Sequence, residues 1–442
     1  MSASSRLLCG LAAAVVFPSV VAAQSPALDK VEQRLRRELA ATRDAQVAYL
    51  ETLVNIPSGS LNVEGVRAAG RMVMGTLDSL GFTTRWVEVP AEMKRAGHLV
   101  ATHTGKAGSP RMLLIGHLDT VFEGPNQKFE RTDSIARGAG SNDMKGGDVI
   151  ILYALKALAA TGALRDLNVT VVMTGDEEMP GDPLSKAREA LLEAAKQSDV
   201  ALAFEGGSYT EATVGRRSAS GWILKVTGKQ GHSSGVFRGT YGSIYEAARI
   251  LDEFRRELAS ETNLTYNPGT IVGGSDVKYD TTTLSGSLAG KTNIISPITW
   301  VQGDLRAMDQ AQISRAQAKM KEIVGRNLPG TTAEITFDEG YPPMAVTSGN
   351  TALLELYSGS SAALGHGALQ ASDPARRGAG DLSFVAPLID GLEGLGAIGA
   401  GSHSPNESVN LNALHMQTEK AAVMLYRLGK RKATEFRRPN AM

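Results

Sequence analysis

The chain has 442 residues, 42% of them hydrophobic and 21% charged, a globular profile long enough for two domains with sizeable cores. Its 46 basic and 46 acidic residues cancel, so nucleic-acid binding through phosphate neutralisation has no compositional support. The lone cysteine, Cys9, excludes a disulfide framework.

The chain opens "MSASSRLLCGLAAAVVFPSVVAA", with Arg6 ahead of an apolar stretch that ends on Val21-Ala22-Ala23. Small residues at that junction match a secretory cleavage site, so residues 1–23 read as a signal peptide cleaved after Ala23 and the mature protein as periplasmic or secreted. The apolar part is short and contains Gly10 and Pro18, which argues against a stable membrane span.

Val31, Leu35, Leu39, Val47, Leu50 and Val54 share a helical face and predict one long helix ending near Pro57. Val66, Ala69, Val73, Leu77 and Leu80 predict a second, stopped by Gly81. "TTRWVEV", "HLVATHT" and "RMLLIGHLD" read as strands, "GGDVIILYALKALAATG" as a helix and "NVTVVMTG" as a strand. A helix over 184–196 precedes the strand "DVALAFEGG". This alternation implies an α/β fold, a mixed sheet flanked by helices. After Arg216 the order becomes "GWILKVTG" (strand), "SIYEAARILDEFRRELAS" (helix), "TLSGSLAG" and "TWVQGDLRAM" (strands), "DQAQISRAQAKMKEIVGRNL" (helix) and "TAEITFDEG" (strand). That is the ferredoxin-like β-α-β-β-α-β pattern. "YPPM" breaks the chain, and α/β character resumes through "LIDGLEGLGAIGAG" and a last helix from Leu414 to Leu428. The economical division is one α/β domain, residues 24–215 and 341–442, with a smaller domain, 216–340, inserted.

Several apolar runs end in groups that suit a metal. "LLIGHLDT" ends in His117 and Asp119, "VVMTGDEE" in Asp176, Glu177 and Glu178, and "ALAFEGG" in Glu205. "GAGSNDMKGG" offers Asp143 at a glycine-rich turn and "GAGSHSPNES" offers His403. Strand ends of an open α/β sheet are where ligand sites form. Histidines with carboxylates suit Zn²⁺ or a comparable divalent ion, and so many anionic groups suit a pair of ions better than one. Taken singly, each has a plainer reading. Asp143 could cap the helix beginning near Met144, Glu205 could be an exposed turn residue, His403 a surface histidine, and Arg306 a surface partner of Asp304 or Asp309.

In this order, "GHLDTV", "NDMKGG", "TGDEE", "FEGG" and "SHS", with a split-βαβ insert between, resemble the glutamate carboxypeptidase and aminoacylase family of zinc peptidases over nearly the whole mature chain. The resemblance implies two Zn²⁺ or comparable ions per chain, ligated by His117, Asp143 (bridging), Glu178, Glu205 and His403. It implies Glu177 as general base and Asp119 as the carboxylate that orients His117. It makes residues 216–340 a lid through which a homodimer forms, with His232 stabilising the developing oxyanion and Asn293 and Arg306 holding a substrate carboxylate. The implied activity is hydrolysis of an amide next to a free α-carboxylate in a small peptide or N-acyl amino acid. Carboxypeptidase action, glutamate carboxypeptidase-like, is the leading form, and N-acyl-amino-acid deacylation is the alternative with the same mechanism. A catalytically silent binding protein of this fold would be marked by loss of Glu177 or of a ligand. The segment "GAGDLSF" departs from the family's G-x-S-D by placing Gly380 before Asp381, leaving Asp381 as a supporting group outside the ligand set.

Overall fold

The computed structural model describes residues 27–124, 128–376 and 378–436; the expected signal peptide lies outside them. Its larger sheet has six strands in the order Thr83–Val87, His98–His103, Asn168–Thr174, Arg111–His117, Val200–Ala203, Asp390–Glu393. The last four are mutually parallel and the first two antiparallel, a mixed sheet. Side chains alternate between two cores, as a period of two requires. Met112 and Leu114 face one core with the helices Lys145–Ala160, Ser348–Ala363 and Leu411–Gly429. Leu113 and Ile115 face the other with Leu191, Leu382 and Val385. Gly147 lets the helix Lys145–Ala160 lie close to the sheet, since a Cβ there would sit 2.1 Å from the Phe204 carbonyl oxygen.

The single long N-terminal helix expected from periodicity is two helices, Lys30–Ala41 and Arg43–Val54. No glycine or proline marks the break. Thr42 makes it, with φ −103° and ψ 9° and its hydroxyl donating back to the Glu38 and Leu39 carbonyls.

The second sheet has four antiparallel strands in the order Thr265–Gly274, Ile298–Arg306, Ser220–Gly228, Thr331–Phe337. The helices Ser243–Leu258 and Gln310–Val324 supply Ile250, Phe254, Ala316 and Met320 to a core with Trp222, Leu224 and Val226. Asp309 caps the second helix by accepting from the Gln312 amide at 2.7 Å. The strand expected at "TLSGSLAG" belongs elsewhere: Ser285–Ala289 pairs with Asp276–Asp280 in a separate hairpin. Its place in the four-stranded sheet is taken by Thr265–Gly274, whose Pro268 and glycines mask it in sequence. Pro268 is accommodated because the strand lies on the sheet edge and its register shifts between Pro268 and Thr270.

A third small sheet, Gly399–Ala400, Ser408–Asn410, Ile135–Arg137, Glu130–Thr132, has no strong sequence signal. It closes residues 401–407 into a hairpin loop and sets that loop beside the turn that follows Arg137. Among the described residues, no helix is long and apolar enough to cross a membrane.

Candidate functional site

Three neighbouring parallel strands end on one edge of the large sheet. Arg111–His117 ends on His117, Asn168–Thr174 leads into Gly175 to Glu178, and Val200–Ala203 leads into Glu205. The small third sheet delivers Asp143 and His403 to the same edge. Asp143 sits between two imidazoles. Its Oδ1 lies 3.3 Å from His117 Nε2 and its Oδ2 3.3 Å from His403 Nε2. Each histidine meets a second carboxylate, His117 Nε2 with Glu205 Oε1 at 3.5 Å and His403 Nε2 with Glu178 Oε2 at 3.1 Å. The result is two lobes sharing one aspartate. The helix-capping reading of Asp143 fails, because Met144 occupies the cap position and the Asp143 side chain points to the histidines instead.

Asp119 holds the inner lobe together and is fully buried. Its Oδ1 lies 3.4 Å from His117 Nδ1 and accepts from the Glu177 amide at 3.0 Å. Its Oδ2 accepts from the Glu178 amide at 3.1 Å and from the Ser60 hydroxyl at 2.6 Å. His117 Nδ1 also meets the Asp119 carbonyl oxygen at 3.1 Å, so this one residue fixes an imidazole and the backbone of both glutamates. Glu407 plays a matching part in the outer lobe, accepting the amides of Gly140, Asn142 and Asp143 at 3.0, 2.8 and 2.9 Å. Asn142 Nδ2 donates to Ser402 Oγ at 3.0 Å, linking the Asp143 turn to the His403 hairpin. His403 has φ +62°, a left-handed backbone that a non-glycine residue adopts at a cost and that recurs at functional sites.

The three consecutive acids diverge. Glu178 faces His403, while Glu177 is partly exposed beside the cluster. Asp176 turns inward to the fully buried Arg188, whose Nη1 donates to it at 2.8 Å and whose Nε donates to Asp381 at 2.6 Å. Thr174 donates to the other Asp381 oxygen at 2.7 Å, so Asp381 supports the strand end that carries Glu177 and Glu178. Tyr341 donates to the Glu177 carbonyl at 2.8 Å and accepts from Arg188 Nη2 at 3.1 Å. Ser60, Glu407, Arg188 and Tyr341 escape sequence reasoning.

The electrostatics are those of a crowded acidic site. Burial pushes Glu178 up to about 7 and Glu205 up to about 8. Burial also holds Glu177 well above the usual carboxylate range, with His117 opposing and Glu205 and Asp381 adding to the rise. The hydrogen bond that His403 donates to Asp143 leads in raising the imidazole to about 9. Burial opposes protonation of His117, yet Glu205, Asp119 and Asp143 outweigh it and carry the imidazole well above its ordinary value. The donors fit a divalent cation. His117, Asp143 and Glu178 offer ligand atoms within 4.8 Å of one another, and Glu178 Oε1 is buried with no hydrogen-bond partner. A cation would satisfy that oxygen and relieve the crowded charge.

The polar contacts found for His232, Asn293 and Arg306 lie within residues 216–340. His232 Nδ1 meets Ser234 Oγ at 2.9 Å, and the Asn293 carbonyl accepts from the Ser233 amide at 2.9 Å, so these two residues share one edge. Arg306 Nε donates to Asp304 at 2.9 Å, the surface pairing weighed from sequence. Arg306 also lines a cleft with Pro180–Ser185, Asp338 and Tyr341.

A mixed α/β fold with a histidine–carboxylate cluster at its strand ends defines a metal-dependent hydrolase of the metallopeptidase and amidohydrolase type. Residues 113–427 match the model of peptidase family M20/M25/M40, and the chain belongs to that family. It is 27% identical over 437 residues to carboxypeptidase G2 of Pseudomonas sp. (strain RS-16), covering 95% of this chain and 97% of the relative. It is 26% identical over 361 residues to a succinyl-diaminopimelate desuccinylase of Pseudomonas syringae pv. syringae (strain B728a), covering 79% of this chain and 89% of the relative. Among solved structures it is similar to aminopeptidase PepT of Bacillus cereus ATCC 10987, with a TM-score of 0.71 and 17% identity over 88% of this chain and 99% of that one.

Proposed function

We propose that this protein is an exported dizinc hydrolase that cleaves an amide next to a free α-carboxylate, acting as a carboxypeptidase of the glutamate carboxypeptidase kind. The observation that carries the reading is the shared aspartate, Asp143, with a histidine on each oxygen and a further carboxylate on each histidine. His117, Asp143 and Glu205 would hold one ion, and Asp143, Glu178 and His403 the other. Bound metal pairs of this kind acidify water and polarise carbonyl oxygens. Glu177, beside the cluster and outside its imidazole pairs, takes a proton from the attacking water at its carboxylate and delivers it to the leaving nitrogen. Asp119 keeps the His117 ring in place throughout.

Residues 216–340 act as a ferredoxin-like lid on the catalytic unit, residues 24–215 and 341–442. His232, Asn293 and Arg306 serve the oxyanion and the substrate carboxylate when the lid closes. A planar guanidinium suits that carboxylate, and closure must first free Arg306 from Asp304. Pairing of two chains through the lid is supported by its exposed apolar residues, Phe237, Tyr245, Ile271 and Leu288. Export rests on the sequence of residues 1–23. The similarity to carboxypeptidase G2 along 95% of the chain supports peptidase action. The similarity to a succinyl-diaminopimelate desuccinylase supports the second reading, deacylation of N-acyl amino acids.

The test is metal analysis of purified protein, followed by mass spectrometry of a panel of dipeptides, N-acyl glutamates and N-succinyl and N-acetyl amino acids. Two equivalents of metal, loss of cleavage on chelation and preference for free over amidated carboxylates are expected. Undiminished cleavage in chelator would overturn the metal reading, and indifference to amidation would overturn the substrate reading. Faster turnover of succinyl or acetyl substrates than of peptides would favour deacylation.

A further inference from the structure

We infer that Tyr341 is a positioning residue that couples the orientation of the inserted unit to Glu177. The inference rests on the reading of Glu177 as proton carrier. Two chain passages join the inserted unit to the rest of the molecule, and they pair with each other in a short antiparallel neck. Arg216 and Met344 exchange backbone hydrogen bonds of 2.9 and 3.0 Å, and Ala219 and Tyr341 exchange bonds of 3.0 and 2.7 Å. Tyr341 is therefore part of the neck itself. Its side chain leaves the neck and reaches the catalytic strand end, where the hydroxyl donates to the Glu177 carbonyl at 2.8 Å and accepts from Arg188 Nη2 at 3.1 Å. Its ring packs against Phe384, centroids 4.8 Å apart, and the same residue lines the cleft that holds Arg306.

This arrangement makes a lever. The main chain of Tyr341 must follow the neck when the inserted unit rotates. Its hydroxyl is tied to the backbone of the residue whose carboxylate carries the proton. Arg188 is anchored by Asp176 and Asp381 and offers that hydroxyl a fixed donor, so the tether has one stationary end and one mobile end. Closure over substrate thereby adjusts Glu177 at the time it is needed, without a direct contact between the inserted unit and the acid. A hydroxyl that merely satisfied a buried carbonyl would contribute to stability alone.

The experiment compares wild type, Tyr341→Phe and Tyr341→Ala in metal-loaded protein, with Glu177→Gln in parallel. Turnover is measured on the fastest-cleaved member of the substrate panel, and hydrogen–deuterium exchange is followed in peptides covering 175–181 and 111–117. Tyr341→Phe should lower kcat roughly 10–100-fold with KM and metal content nearly unchanged. It should speed exchange at 175–181 and leave 111–117 as in wild type. Wild-type kcat and exchange in Tyr341→Phe, with defects only in Tyr341→Ala, would make the ring a filler and overturn the proposal. Faster exchange in both peptides would likewise reduce Tyr341 to a structural role. Turnover retained by Glu177→Gln would overturn the base assignment instead, and the exchange at 175–181 would still report whether Tyr341 holds that segment.

Discussion

Replacing Arg188 by methionine isolates the energetic cost of the buried charges under the site. Arg188 is fully buried and donates to Asp381 at 2.6 Å and to Asp176 at 2.8 Å, so its removal strands two carboxylates. Breaking such a pair costs about 3–5 kcal/mol because an uncompensated charge stays buried. Each acid keeps another donor, the Gly181 amide at 2.9 Å for Asp176 and Thr174 at 2.7 Å for Asp381, which favours the lower end of that range. At roughly 2–4 °C per kcal/mol for a large domain, a loss of about 3 kcal/mol lowers Tm by about 6–12 °C. The deficit should depend on pH with a definite sign. Burial already raises Asp176 despite the opposing guanidinium, and without Arg188 the folded state must hold protons that the unfolded state releases. Stability then falls as pH rises, and the deficit shrinks as pH drops toward about 4, the ordinary carboxylate value. Urea unfolding followed by circular dichroism at pH 7 and pH 5, in chelator so that bound ions add nothing, measures both. Adding Asp381→Asn should return part of the loss, since one stranded charge is gone. A deficit under about 1 kcal/mol, or one independent of pH, would refute the view that Arg188 chiefly offsets two buried acids.

Glu177→Gln should retain its metal and lose roughly 10²–10⁴-fold in kcat, measured by metal analysis and steady-state kinetics on one preparation. Glu407→Ala removes the acceptor for three amides of the Asp143 turn and should weaken metal affinity by roughly 10–100-fold in chelator competition, with little change at His117. Arg306→Ala should raise KM roughly 10–100-fold for substrates with a free carboxylate and leave amidated substrates unaffected. Between about pH 5 and 7 metal-free protein should lose stability as pH climbs, because Glu178, Glu205 and His403 have folded values raised to about 7, about 8 and about 9, while the lowered Lys145 and Lys420 oppose the slope only above that window. Groups raised on folding stabilise below their unfolded values and lose that contribution as pH rises through the folded ones. Thermal unfolding in chelator across that range checks the slope, which bound metal should flatten.

The parts of the fold legible in sequence are those decided locally. The strand that ends at His117 and the strand that ends at Thr174 announce themselves because their residues are apolar on both faces and stop at charges. His117, Glu178 and Glu205 were legible for the same reason, each a polar group at the end of an apolar run, whereas Asp143 and His403 lie in glycine-bearing turns and were picked out by the ordered set of motifs. Arg188 was not, because its burial is decided by Asp381, 193 residues away. The helix expected over 184–196 breaks at Arg188 into Leu184–Ala187 and Glu189–Lys196, and in sequence the residue looks like any solvated arginine. Glu407 was hidden similarly, its three partners lying across the chain at 140–143. The edge strand Thr265–Gly274 was missed because Pro268 is a breaker in most strands and harmless at this position. The split at Thr42 was missed because an i−4 hydroxyl bond ends a helix with no compositional mark.

The hairpin bearing His403 joins the centre from beyond every strand of the second sheet. During synthesis, His117, Asp143, Glu178 and Glu205 are all made before that hairpin exists, and one lobe lacks its imidazole until it arrives. The centre is completed late, and a chain truncated upstream of this hairpin carries all three acidic ligands and one of the two histidines.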